Sequence, residues 1–327
     1  MPKARAIVKR RKAVRNIKKI TKTMQMIATA KFQKALKRAV GTKPYTRKVR
    51  ELVAELAATM DMSQVSHPLL RRVDATTQTN RVALVVITSN RGLAGAYNGS
   101  VLRTANRFII EQSAAGKTID LYAAGKKGVS FFNFQKRPIT QRFDQFADSP
   151  KYSDVQAVGR QFIEQFTAGT LDAVYVAYMN FISTGSQKPE VMQLLPLAGV
   201  TEAAEHIAQQ SAEKEAQLQA GVMDATRSGT DVKAEAHVKG TTEYEFLPDA
   251  ATLLNELLPL TVQTALFQAF LDATSSENVA RMVAMKSATD NADKMAKALS
   301  MQYNRARQAA ITTELSEILG GVEAMKG

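Results

Sequence analysis

Residues 282–310 read MVAMKSATDNADKMAKALSMQYNRARQAA, and their apolar side chains are regularly spaced. These side chains recur in steps of three and four residues, at Met282, Met285, Ala288, Ala292, Met295, Leu299, Tyr303, Ala306 and Ala310. A mean step of about 3.5 residues predicts a helix that supercoils with a partner helix. The longer stretch from Leu260 to Leu319 lacks glycine and proline, so one helix of roughly 90 Å is expected there.

The partner helix is expected at the other end of the chain. Residues 3–40 also lack glycine and proline, and their apolar side chains form one stripe: Ile7, Val14, Ile17, Ile20, Met24 and Ile27. Gly41 and Pro44 are expected to interrupt this helix, which resumes from residue 47 to residue 60. In the same way, Pro259 is expected to kink or restart the C-terminal helix.

The positive charge of the chain is concentrated in this N-terminal helix. Residues 1–50 contain 18 of the 44 Lys and Arg residues and none of the 30 Asp and Glu residues, although the whole chain carries +14. Such a helix either binds nucleic acid or forms a coiled coil with a protein partner. The continuous apolar stripe favours the coiled coil, because a helix that inserts into a nucleic-acid groove would be polar all round.

Short apolar runs alternate with helical segments in the middle of the chain. Strands are predicted at 82–88, 118–123, 171–182 and 190–195, helices at 100–112 and 153–168, and a Gly- and Lys-rich turn after the second strand. This alternation predicts a mainly parallel α/β sheet between the two long helices.

Composition and spacing argue against chemistry carried out by this chain. There is no cysteine and there are only three histidines, and no run of about 18 apolar residues is present. Gly92-Leu-Ala-Gly95 and Gly116-Lys-Thr118 match neither a dinucleotide-binding fingerprint nor a phosphate-binding loop. We therefore expect no catalytic, cofactor-binding or metal-binding residues.

Three stretches together resemble the γ subunit of the F-type ATP synthase. They are NIKKITKTMQMIATAKFQKA at 16–35, TSNRGLAGAYN at 88–98, and ENVARMVAMKSATDNADKMAKALSMQYNRARQAAITTELSEILGG at 277–321. The resemblance implies an α/β fold in which the N- and C-terminal helices form a long antiparallel coiled coil beside a central Rossmann-like domain. It also implies a rotor stalk that couples ion flow to ATP synthesis or hydrolysis at catalytic sites on other subunits.

The family's assembly gives the expected partners and location. They are the alpha and beta subunits of the F1 hexamer, the epsilon subunit and the membrane c-ring, on the cytoplasmic face of the bacterial plasma membrane. The alternative is a basic coiled-coil protein that binds nucleic acid or acts as a scaffold. The domains are expected at 1–60 (coiled-coil helix), 78–198 (α/β domain), 199–243 (inserted helix and flexible loop) and 249–327 (coiled-coil helix).

Matching motifs assign roles to individual positions. The resemblance implies contact with the catch loop of a catalytic subunit at Arg307, Gln308, Thr312 and Met24. It implies an apolar tip inside the hexamer at Ile311, Leu315, Ile318, Leu319 and Val322, and contacts with the ring or the epsilon subunit at Tyr244 and Phe246. We also expect Met24, Met26, Met295 and Met301 to pack adaptably, and the alanines at 288, 292, 306 and 310 to let the helices approach closely.

Overall fold

A computed structural model describes residues 2–59, 68–70, 79–146, 149–197 and 250–324. Apart from a short 3-10 turn at Pro68–Leu70, these residues form five α-helices and five β-strands. In chain order the elements are α1 (Pro2–Thr59), β1 (Arg81–Ile87), α2 (Tyr97–Ala114), β2 (Thr118–Ala124), α3 (Lys126–Phe134), β3 (Gln141–Phe143), α4 (Tyr152–Thr167), β4 (Ala173–Phe181), β5 (Gln187–Leu195) and α5 (Ala250–Ala324).

Helix α1 runs through Pro44 without a break, so the predicted interruption at Gly41 to Pro44 is wrong. An internal proline costs about 3 kcal/mol, because it removes one backbone hydrogen bond and crowds the preceding turn. The turns that follow bury Val49 and Val53. Burying two valine side chains contributes roughly 3–6 kcal/mol, which is enough to offset the proline.

Helix α5 likewise continues through Pro259 for 75 residues, so the predicted restart there is wrong. Buried leucine and valine side chains flank the proline on both sides, at Leu254, Leu258, Val262 and Leu266. These side chains hold both turns against the sheet core and thereby keep the helix continuous.

The sheet has the strand order β3-β2-β1-β4-β5. Strands β3, β2, β1 and β4 pair in parallel, and β5 is an antiparallel edge strand. Because β1 is covered on both faces, all of its residues after Arg81 are buried. This arrangement confirms the mainly parallel α/β sheet.

Helices cover both faces of the sheet. Phe162 of α4 packs edge-on against Tyr122 of β2, and the first part of α5 joins the same core. On the opposite face, Phe108 of α2 packs against Tyr175 of β4, with 4.7 Å between ring centroids. The fold class, with long terminal helices and a central α/β domain, is as predicted.

The strands and helices predicted in the middle of the chain are present, but two elements were missed. Helix α3 occupies the segment expected to be a Gly- and Lys-rich turn, and β3 adds a three-residue edge strand. Helix α3 has no clear apolar pattern in the sequence, because it begins with two lysines and a glycine and its main buried apolar side chain is that of Phe132.

The chain divides into two compact units. One contains residues 1–31, 93–95 and 278–327, and the other contains residues 32–92 and 96–277. The four domain boundaries given above remain predictions. The expected insert at 199–243 lies outside the described residues, as do Tyr244 and Phe246.

Candidate partner-binding surface

In the unit built from both chain ends, α1 and α5 pair in opposite directions. The guanidinium group of Arg11 lies over the ring of Tyr303, 4.8 Å from its centroid. The hydroxyl oxygens of Thr21 and Thr289 lie 2.8 Å apart and share a hydrogen bond. Later residues of α1 therefore meet earlier residues of α5, which confirms the antiparallel coiled coil.

The seam of this helix pair is more polar than the sequence suggested. On α1 the buried side chains Val14, Thr21 and Ala28 follow one another at intervals of seven residues. Between them, the ammonium group of Lys18 donates a hydrogen bond to the carboxylate of Asp293.

The predicted apolar stripe lies mostly outside the seam. Ile17, Ile20 and Ile27 are 51%, 59% and 52% exposed, so their assignment to the coiled-coil contact is wrong. Each lies one residue before a seam position, and one residue turns a helix by about 100°. Met24, next to them, is half-buried.

Three of the four methionines expected to pack adaptably are exposed, namely Met26, Met295 and Met301. They lie beside the seam, which on α5 includes the buried side chains of Met285, Thr289 and Ala292. The alanines at 288, 306 and 310 are half-buried.

Asp293 pairs with one lysine on each of the two long helices. Its carboxylate accepts a hydrogen bond from Lys18 and lies 3.2 Å from the ammonium nitrogen of Lys297. The hydrogen bond from Lys18, followed by that from Lys297, lowers the pKa of Asp293.

The end of α5 extends past its partner. Pro2 lies nine residues before Arg11, so the start of α1 is level with roughly residue 312 of α5, because both helices rise equally per residue. All described side chains from 311 to 319 are exposed. Five apolar side chains among these and the next turn are 47% to 68% exposed: Ile311, Leu315, Ile318, Leu319 and Val322.

The residues assigned to the catch-loop contact lie on two helices. Arg307, Gln308 and Thr312 are exposed on α5, and the hydroxyl of Thr312 donates to the backbone carbonyl of Gln308 at 3.0 Å. The end of α5 therefore places a basic and polar group directly before an apolar one.

The glycine-containing loop after β1 is held by its own side chains. The amide of Asn90 donates to the carbonyl of Phe146 at 2.9 Å, and its oxygen accepts from the backbone N–H of Lys126 at 3.2 Å. The next two N–H groups of α3 donate to the Ser89 carbonyl and to the Thr88 hydroxyl. In nucleotide-binding folds such N–H groups would contact phosphate, whereas here protein oxygens already accept from them.

A depression at the carboxyl ends of β1 and β2 has a volume of about 30 Å³. Its walls include Thr88, Gly125, Phe146 and Phe270. This volume accommodates about one water molecule and is far smaller than a nucleotide needs.

The described part of the chain contains neither a membrane-spanning helix nor a metal-binding cluster. None of the helices there combines the length and the hydropathy needed to cross a bilayer. The same residues contain no cluster of three or more histidine, aspartate or glutamate side chains placed to bind a metal ion.

One family of known proteins matches the part of the sequence that contains both the helix pair and the sheet. A family model described as ATP synthase matches residues 3–325. The ATP synthase gamma chain of Rhodopirellula baltica is 41% identical to this chain, with full coverage of both. This chain belongs to the ATP synthase gamma family. The gamma chain of a Nocardioides species is 39% identical, covering 96% of this chain and 93% of that protein.

Two solved structures contain chains with a similar fold. The Euglena gracilis mitochondrial ATP synthase contains a chain with a TM-score of 0.59 and 18% identity, covering 99% of this chain and 95% of that one. A chain from the central stalk and c-ring of the Tetrahymena thermophila enzyme has a TM-score of 0.53 and 21% identity, covering 82% and 99%. The comparisons do not support the alternative of a nucleic-acid-binding or scaffold protein.

Proposed function

We propose that this gamma chain is a rotor stalk that couples ion flow through a membrane ring to ATP synthesis or hydrolysis on other subunits. It has no catalytic site of its own and acts by making different contacts at different rotor angles. The observation that carries this proposal is the unpaired end of α5, where five apolar side chains are exposed. An apolar helix end of this kind indicates a surface that a partner covers.

The partners follow from the chemistry of the two long helices. The apolar tip from Ile311 to Val322 turns inside a sleeve formed by alternating alpha and beta subunits. The 18 basic side chains in residues 1–50, with no acidic ones, favour partner loops that carry carboxylates. The epsilon subunit and the c-ring contact the chain on the side nearer the membrane, through a region that includes Tyr244 and Phe246.

Arg307 is the residue we assign to the catch loop of a catalytic subunit, together with Gln308 and Thr312. Met24 lies on α1, roughly 30 Å from Arg307 along the helix pair, so its assigned contact with a catalytic subunit is a separate one. The planar guanidinium group of Arg307 can donate two hydrogen bonds to one carboxylate. It is exposed on α5 one turn before the apolar tip, so a loop that reaches the tip also reaches Arg307.

Within the assembled complex the chain is peripheral, on the cytoplasmic face of the bacterial plasma membrane. In this proposal the chain attaches to the membrane through the c-ring. The segment 199–243, predicted from the sequence to be an insert, modulates rotation or contacts the epsilon subunit.

The test is to express the full-length chain with its alpha and beta subunits and to compare Arg307→Gln with Lys294→Gln. Lys294 is exposed on the same helix, roughly 20 Å before Arg307. We expect Arg307→Gln to lower the ATP hydrolysis rate of the complex by about tenfold or more, the factor for one charge-assisted hydrogen bond. Lys294→Gln should leave the rate unchanged.

Two results would overturn the proposal. One is a chain that does not copurify with an ATP-hydrolysing hexamer. The other is a purified chain that hydrolyses ATP by itself.

A further inference from the structure

We propose that two polar contacts select which face of α1 packs against α5, and thereby keep an apolar face of α1 directed outward. The contacts are Lys18 with Asp293 and Thr21 with Thr289. This inference concerns the pairing of the two helices and does not depend on the partners proposed above.

Helix α1 has two faces that could form the seam. The face in use carries Val14, Lys18, Thr21, Gln25 and Ala28, and its largest buried apolar side chain is that of Val14. The second face lies one residue earlier at each step and carries Ala13, Ile17, Ile20, Met24 and Ile27. By apolar area alone, the second face would be the stronger one, because isoleucine buries more carbon surface than threonine or alanine.

The polar groups of α5 reverse this preference. Thr289 is buried and lies 2.8 Å from the Thr21 hydroxyl, and Asp293 accepts from Lys18. If α1 turned by one residue, Ile20 would replace Thr21 opposite Thr289, and Ile17 would replace Lys18 opposite Asp293. The carboxylate would then face an isoleucine and lose the hydrogen bond from Lys18, keeping only its contact with Lys297, which is unfavourable.

This selection resembles the use of single polar residues to fix alignment in coiled coils. It weakens the pairing but makes it unique. The consequence is that Ile17, Ile20 and Ile27 remain more than half exposed on the surface of the helix pair.

Cysteine cross-linking of the full-length chain tests this proposal, because the chain contains no cysteine. Val14→Cys with Ala296→Cys reports the observed face, since both positions lie one seven-residue repeat from the Thr21–Thr289 pair. Ala13→Cys with Ala296→Cys reports the turned face. Each cysteine pair is introduced into the parent chain, into a test variant and into a control variant.

The test variant combines Lys18→Met, Thr21→Val, Thr289→Val and Asp293→Leu, which makes the seam apolar without leaving an unpaired polar group. The control combines Lys19→Met, Thr23→Val, Asp290→Leu and Thr313→Val. These four positions are exposed, and the hydroxyls of Thr23 and Thr313 bond only to their own helix. The two variants therefore change the same residue types on the same helices.

In the parent chain and the control we expect the Val14 pair to form the disulfide and the Ala13 pair to form little. In the test variant the ratio of the two should shift toward the Ala13 pair by about tenfold or more, since each lost hydrogen bond is worth up to that factor. A test variant that keeps the parental ratio would overturn the proposal. A test variant that forms neither disulfide would also overturn it, because an apolar seam is predicted to pair by the second face.

Discussion

The ammonium group of Lys18 on α1 and the carboxylate of Asp293 on α5 form a hydrogen-bonded ion pair across the two long helices. This contact, with a second from Lys297, lowers the pKa of Asp293 from its ordinary value of 3.8. A lowered folded-state pKa stabilises the folded chain above the unfolded-state pKa, and the contribution is lost as the pH falls through the folded-state value. The helix pair should therefore weaken in acid.

We predict that Asp293→Asn lowers the stability of the full-length chain at pH 7 but has progressively less effect below about pH 4. The measurement is the urea midpoint of both proteins across this range. Asp290→Asn, at an exposed position of the same helix, is the control. A difference between Asp293→Asn and the parent chain that does not change with pH would refute the assignment.

Gly125 provides a second prediction, on the stability of the sheet unit. A Cβ atom there would lie 2.1 Å from the carbonyl oxygen of Thr88, and the backbone has φ +93°. Gly125→Ala must displace β1 or α3, and we expect a loss of about 3 kcal/mol or more in the free energy of unfolding. Gly116→Ala is the matched control, because φ is +78° but no atom lies within 4 Å. It should cost about 1–2 kcal/mol, the strain of the left-handed conformation alone. Equal losses in urea unfolding would contradict the predicted clash.

Two phenylalanines of the same unit differ in burial, so their substitution tests which side chains form the core. Phe162 of α4 is fully buried, and its ring packs edge-on against Tyr122 at 4.9 Å between centroids. Phe162→Ala should cost about 3–5 kcal/mol in the free energy of unfolding. Phe134→Ala, at a position that is 87% exposed, should change it by less than about 0.5 kcal/mol. Similar effects of the two substitutions in denaturant titrations would contradict the burial of Phe162 in the core.

The apolar tip gives a prediction that separates stability from assembly. Ile318 is 57% exposed, so Ile318→Ser should change the free energy of unfolding of the chain alone by less than about 0.5 kcal/mol. In the proposed complex the same side chain is covered, so the variant should bind the alpha and beta subunits more weakly. Glu317→Ser, beside it on the helix, controls for a change at this end of α5. If Ile318→Ser binds the hexamer with unchanged affinity, the apolar tip is not part of the interface.

The sequence predicted the sheet and the two long helices because burial patterns repeat regularly in both. It failed at Pro44 and Pro259, where tertiary packing of Val49, Val53 and the leucines near Pro259 outweighs a local helix-breaking preference. Such compensation depends on contacts between distant segments, which a local pattern does not contain.

The seam of the helix pair was misassigned for a different reason. Hydrophobicity ranks Ile17 and Ile20 above Lys18 and Thr21, yet the polar residues face α5 because Asp293 and Thr289 complement them. The seven-residue interval from Val14 to Thr21 to Ala28 was the available signal. The roles of Arg307 and the tip came from the resemblance, since the exposed end of a helix carries no internal pattern that names its partner.

Rotation is tested by observing the chain inside the assembled hexamer while ATP is hydrolysed. Asn133→Cys places a single thiol at an exposed position of α3 for attachment of an optical probe. If the chain is the rotor, the probe turns in one direction and stops when ATP is removed. A probe that stays fixed while the hexamer hydrolyses ATP at its normal rate would show that the chain is not a rotor.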